Sequence, residues 1–292
     1  MDLHVGRALT PAEISTLLAE ARERTLLLTA ALSDEELRLQ HDPLMSPIVW
    51  DLGHIGHFED VWLRENVRSA DTGSEGLSGI YNPFENPRAV RDSLPLPSLP
   101  ECRSYLGEVR RAVLDELGGL PLAASADDLS PLLRDGFVFR MVVQHEYQHN
   151  ETILQTLQLK QGAPYAPPRQ LAPPHPSAKP PAADSMVRFP GGRVTLGTDD
   201  RSAAYDNERP AHSVELDPFW IDAHPVTNGA YQAFVEDGGY GHDDVWSEQG
   251  RAWRDEEGLE APKYWMRSGD GWSERFMDRV VPLDPRPVSD TH

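Results

Sequence analysis

Apolar residues recur at helical spacing through the first 160 positions, then give way to short alternating runs. Thr10-Pro11-Ala12-Glu13 reads as a helix start: Thr10 can cap, Pro11 suits the first turn, and Glu13 completes a capping box. Ile14, Leu17, Leu18, Ala21, Leu26 and Leu28 carry that helix to about Leu32. Ser33 to Glu36 opens a short second piece. "SPIVWDLGHIGHFEDVWLREN" predicts a long helix from Ser46-Pro47 to about Asn66. "SLPECRSYLGEVRRAVLDELGG" predicts another, stopped by Gly118-Gly119, and "LLRDGFVFRMVVQHEYQHNETILQTLQLKQG" a last one ending at Gly162. Between the second and third long helices, residues 67–97 are rich in Gly, Pro and Asn and read as a long loop. Four long amphipathic segments predict a four-helix bundle over 1–161.

Residues 162–185 hold eight prolines, which suit neither helix nor central strand, so a semi-rigid linker is expected there. From 186 the pattern changes to that of an α+β domain. "MVRFPGGRVTLGT" reads as two short strands about a Pro-Gly-Gly turn. "HSVELDPFWIDAHPVTNGAYQAFVEDGGY" reads as strand, a turn at Asp217-Pro218, and a helix capped by Thr227. Gly238 to His292 is rich in Gly, Trp, Asp and Pro and reads as irregular loop held by aromatic packing.

Charge narrows the function classes. A formal net charge of −20 repels phosphate backbones and anionic lipid, so neither nucleic acid nor membrane is expected as a partner. No apolar run reaches the roughly 18 residues of a membrane span. The first residues lack the cationic and apolar regions of a signal peptide. Cys102 is the one cysteine, which excludes an internal disulfide, fits a reducing cytoplasmic location, and is expected to be structural.

The chemistry concentrates on histidines. On a helix His145 and His149 are about 40° apart, the spacing that offers two imidazoles to one cation. "WDLGHIGHFED" adds His54 and His57 on an earlier helix, and buried imidazoles facing one another are costly unless a shared divalent metal satisfies them. Glu151 lies too far round the helix to join them and is expected to pair elsewhere. Gln148 and Thr152 fall at the edge of the metal face. Residues 145–149 also match H-E-x-x-H, which makes Glu146 the general base of a rival zinc-protease reading. Thr152 and Gln155 stand where the extended protease form needs Gly and His.

Three segments together resemble the nonhaem-iron sulfoxide synthases of ergothioneine biosynthesis, the hercynine oxygenases: "SPIVWDLGHIGHFEDVWL", "HEYQHNET", and "FPGGRVTLGT…NERPAHSVELDPFWIDAHPVTNGAYQAFVEDGGY". The resemblance implies a DinB-like bundle over 1–161. A formylglycine-generating-enzyme-like domain of the C-type-lectin kind would follow over 186–292. It implies that His54, His145 and His149 hold iron(II), leaving open positions for a thiolate and dioxygen, while His57 supports or packs. Arg88 and Arg91, in "YNPFENPRAVRDSLPLP", would bind the carboxylates of γ-glutamylcysteine, and Gln148 would lie near the hercynine carboxylate. The implied reaction joins the sulfur of γ-glutamylcysteine, or of cysteine, to C2 of hercynine with dioxygen. Family members continue past "PRPV" to an active-site tyrosine. Val288 is the last family-like residue here, so the resemblance implies a truncated chain of reduced or absent activity, with no catalytic residue assigned. A metal-binding remnant, half of a split enzyme, or a DinB-like thiol transferase are the alternatives in other classes.

Overall fold

The computed structural model describes residues 8–73, 75–122, 130–167, 185–200, 204–269 and 271–286. The described part divides into two compact units: Met1–Pro168 with Thr195–His212, and Arg169–Val194 with Ser213–His292. The N-terminal region is helical and the C-terminal region carries small sheets. No described helix is long and apolar enough to cross a membrane.

In the first unit, α1 (Pro11–Thr29) begins with the expected capping box of Thr10 and Glu13, and α2 (Asp34–Arg38) with that of Ser33 and Glu36. Helix α3 (Ile48–Asp60) runs into a π-helical turn at Val61–Glu65 and a last turn, α4 (Asn66–Arg68). Next come α5 (Glu75–Tyr81), a 3-10 helix at Arg88–Ser93, α6 (Leu99–Leu117) and α7 (Phe137–Gln158). Helix α1 packs on α7, and α3 packs on both α6 and α7. Ile14, Leu18 and Ala21 of α1 meet Val109 and Val113 of α6 and Val142 of α7 in the buried core.

Two sequence expectations are corrected here. The segment 67–97 is not plain loop: α5 and the 3-10 helix lie within it. Its glycines argue against helix, but tertiary partners satisfy the helix end. The Trp50 indole donates to Ile80 O at 2.9 Å, and the Asn86 amide to Gly79 O at 2.9 Å. The last long helix starts at Phe137 because Asp135 (φ 58°) and Gly136 (φ 68°) adopt left-handed conformations just before it. It ends at Gln158, short of Gly162.

Helices α3 and α5 approach so closely that a Cβ at Gly53 would lie 2.1 Å from the Tyr81 hydroxyl. Gly53→Ala is therefore expected to destabilise the fold by about 1–3 kcal/mol through overpacking. Urea denaturation checks this, and a change below about 0.5 kcal/mol would contradict the close approach.

Most of the proline-rich linker expected over 162–185 lies outside the described residues, as do Val288 and the residues after it. Strands β1 (Met186–Phe189) and β2 (Gly192–Leu196) flank the Pro-Gly-Gly turn but do not pair with each other. Instead β1 pairs antiparallel with β4 (Phe219–Asp222), setting Phe189 opposite Phe219, and β2 pairs with β3 (His212–Leu216). Thr227 caps α8 (Asn228–Glu236), as expected, by accepting from Ala230 N.

Gly238 onward is more regular than its composition suggests. Ser247 caps α9 (Glu248–Glu257), and left-handed Gly258 ends it. Strands β5 (Trp265–Ser268), β6 (Gly271–Phe276) and β7 (Arg279–Pro282) form an antiparallel three-stranded sheet. The β6–β7 turn uses Met277 at φ 52° where a glycine would have signalled a hairpin. The expected aromatic packing is present beside these elements: Trp272, Trp265, Tyr231, Phe234, Tyr240 and Trp246 form one continuous run of ring contacts.

Candidate metal centre

Helix α3 is buried along nearly its whole length, so a histidine at position 54 packs against a neighbouring helix. It meets α7, where His145 and His149 lie one turn apart. One nitrogen from each of His54, His145 and His149 lies within 4.8 Å of the others. His54 Nε2 and His145 Nε2 are 3.1 Å apart.

Hydrogen bonds behind the rings decide which nitrogens face inward. His54 Nδ1 donates to the Tyr81 carbonyl at 2.8 Å, which leaves its Nε2 as a lone pair when the ring is neutral. His149 Nδ1 donates to Asp51 Oδ1 at 3.0 Å. Burial, then the neighbouring His149, then other charges including Arg91, push His54 down to about 3. Burial and the other two histidines hold His145 well below 6.5. Both rings are therefore neutral at pH 7. His54 Nε2 and His145 Nε2 lie at hydrogen-bonding distance, and the three converging nitrogens make a donor set that suits a divalent transition metal. The histidines fit a metal, and Asp51 and the Tyr81 carbonyl hold two of them in the ligating tautomer.

Aromatic rings wall the cluster. Trp50 stacks on His54 at 4.8 Å and 11°, and Phe58 stacks on His145 at 3.6 Å and 9°. The Arg91 guanidinium lies 3.5 Å over Trp50, is buried, and donates to Asn86 O and Ser46 Oγ at 2.9 and 2.7 Å. Arg88 is exposed and donates to Leu44 O at 3.0 Å. Gln148 is also exposed. It lines a shallow cleft with Arg24, Gln144, Tyr147, Glu151 and Tyr205, beside the histidine face rather than on it. His57 stays outside the cluster, with Nε2 3.2 Å from Ser78 Oγ.

Glu146 faces away from the histidines. It is 1% exposed and accepts from Arg22 Nε and from the Thr25 hydroxyl, both at 2.8 Å, so it is not placed as the base of a zinc protease. Cys102 is buried, and burial pushes its thiol up to about 12, which makes it unreactive. Asp51 was not singled out by the sequence pattern. The available signal was a carboxylate three residues before His54 in the apolar first turns of the helix.

Two results follow from this geometry. His54 and His145 bind protons in the unfolded chain but not in the metal-free native one, because their folded pKa values lie below 6.5. Their contribution is complete above pH 6.5 and is lost as pH falls toward the folded values. Urea midpoints of metal-free protein between pH 6.5 and 5 should fall accordingly, and a flat profile would contradict neutral buried rings. Asp51→Asn should weaken metal binding by about 10–100-fold without removing a ligand. Competition with a chelator measures that shift, and wild-type affinity in the variant would discount Asp51.

Helices that meet around three converging imidazoles, followed by a small sheet-bearing region, describe a two-part protein, and comparison identifies both parts. Residues 17–153 match the DinB superfamily, and residues 172–269 match the Sulfatase-modifying factor enzyme 1-like domain. Over about nine tenths of its length the chain is homologous to the hercynine oxygenases. It is 44% identical over 283 residues to that of Mycolicibacterium thermoresistibile, covering 94% of this chain and 59% of the relative. It is 44% identical over 274 residues to that of Mycobacterium tuberculosis (91% and 60%), and 42% over 263 residues to that of Mycolicibacterium smegmatis (89% and 58%). The chain thus spans about three fifths of the length of these relatives.

Proposed function

We propose that this chain carries the iron(II) centre of a sulfoxide synthase that joins the sulfur of γ-glutamylcysteine, or of cysteine, to C2 of hercynine. The observation that carries the proposal is the convergence of His54, His145 and His149 in a chain homologous to hercynine oxygenases. The overall change balances with dioxygen alone: the S–H and C2–H bonds are lost, one oxygen atom goes to sulfur, and the other leaves as water. Iron(II), when bound, supplies a redox-active centre that takes up the thiol and activates dioxygen.

The chain's own residues hold and shield that centre. His54, His145 and His149 are the ligands. Asp51 and the Tyr81 carbonyl keep the Nδ1 protons of His149 and His54 occupied and the rings fixed. Trp50 and Phe58 exclude water from one side of the rings. Arg91, buried beside Trp50, and Arg88 in the same segment provide positive charge for substrate carboxylates, and Gln148 contacts hercynine from the edge of α7. Helices α1, α3, α6 and α7 are read as a DinB-like four-helix bundle ending near 161. The region from 186 is read as lectin-like, and the protein is assigned to the cytoplasm.

The test is mass spectrometry of products from iron(II), oxygen, hercynine and each thiol. It is run on this chain and on this chain joined to the remaining length of a relative. The sulfoxide conjugate is expected from the joined chain and lost with His54→Ala. Absence of product from both chains, despite bound iron, would overturn the proposal.

A further inference from the structure

Beside the histidine cluster, on other faces of the two ligand-bearing helices, lies a closed ring of charge around two buried carboxylates. Arg22 of α1 donates from Nη2 to Glu59 Oε2 at 2.7 Å and from Nε to Glu146 Oε1 at 2.8 Å. Arg110 of α6 closes the ring from the other side. Its Nε reaches Glu59 Oε1 at 2.6 Å, and its Nη2 reaches Glu59 Oε2 at 2.9 Å and Glu146 Oε2 at 3.3 Å. The two carboxylates are 0% and 1% exposed. Each guanidinium thus ties α3 to α7, and the four charges sum to zero.

The placement relates the ring to the metal cluster. Glu59 shares α3 with His54, and Glu146 sits on α7 between His145 and His149. The Thr25 hydroxyl lies 2.8 Å from Glu146 Oε1 and 2.9 Å from Asn150 Oδ1, next to His149 in sequence. Apolar residues of similar volume hold helices together as well as buried ion pairs do, or better. What forked guanidinium–carboxylate bonds add is direction, because they fix both separation and rotation. Rotation matters here, since one residue position turns α7 by about 100° and would carry both imidazoles off the cluster.

We infer that the Glu59–Arg22–Glu146–Arg110 ring is a positioning device for the metal-binding imidazoles, acting through α3 and α7 rather than by contact with the ion. The inference rests on reading the histidine cluster as the iron site. Two variants test it. In the first, Arg22→Met, Glu59→Leu, Arg110→Leu and Glu146→Leu replace the whole ring with apolar side chains. In the second, Arg110→Lys keeps the charge and removes the fork.

The fourfold variant is expected to melt at or above the wild-type temperature, yet to bind iron(II) about tenfold or more weakly and to shift the visible spectrum of the cobalt(II)-loaded site. Arg110→Lys should change both readouts in the same direction. A folded fourfold variant with wild-type affinity and cobalt spectrum would overturn the inference. If that variant does not fold, Arg110→Lys decides alone, and wild-type behaviour there overturns it. If the wild-type protein takes up no metal, the iron reading fails separately. The ring is then judged by imidazole NMR of the metal-free proteins: loss of the protected Nδ1–H signals of His54 and His149 in Arg110→Lys supports positioning, and unchanged signals refute it.

Discussion

Arg22→Ala is expected to cost about 3–5 kcal/mol of stability, the largest single-residue effect outside the apolar core. The guanidinium is 8% exposed and neutralises two carboxylates that have no route to water. Its removal leaves Glu59 and Glu146 facing each other with Arg110 alone between them. It also frees the Leu106 carbonyl, which Arg22 Nη1 holds at 3.1 Å. Arg24, two positions along the same helix, is the internal control. It pairs with Glu20 at the surface, with side chains 57% and 40% exposed, and Arg24→Ala should cost about 0.3–0.5 kcal/mol. Urea denaturation of both variants at pH 7 gives the comparison. Equal costs would mean that the buried ring is not held as described.

His145→Ala should have the largest effect on metal. Losing one of three ligands should weaken iron(II) binding by more than the roughly 10–100-fold that follows loss of an outer partner such as Asp51. The ring leaves a cavity against Phe58, on which it stacks, so some stability is lost at pH 7. Below pH 6 the sign changes in part. His145 is held neutral against its own protonation, so the variant should lose less stability on acidification than the parent. Chelator competition and acid titration of the metal-free proteins separate the two effects. An unchanged affinity, or an unchanged acid slope, would place His145 elsewhere.

Much of the helical region was legible in the sequence because its signals are local. Capping boxes at Thr10 and Ser33 mark the starts of two helices, and both form. The four-residue spacing of His145 and His149 predicts a shared direction, and the two rings lie 4.6 Å apart. What was not legible depends on contacts distant in sequence. Helix α5 forms in a glycine-rich segment because Trp50 and Asn86 satisfy its carbonyls. Helical phase alone left both His54 and His57 open as the third imidazole. Packing separates them, since His54 faces α7 while His57 turns to Ser78. Arg91 reads as a loop arginine, yet it is buried over Trp50, because Asn86 O and Ser46 Oγ accept from it. In the C-terminal region, Met277 in a left-handed turn hides a strand pairing that glycine would have announced.

Anaerobic titration with iron(II), read as metal per chain by native mass spectrometry, tests the central claim most directly. The wild-type chain and His57→Ala are expected to take up one ion each, and His54→Ala, His145→Ala and His149→Ala essentially none. Retention of iron by any of those three variants, or its loss in His57→Ala alone, would contradict the site.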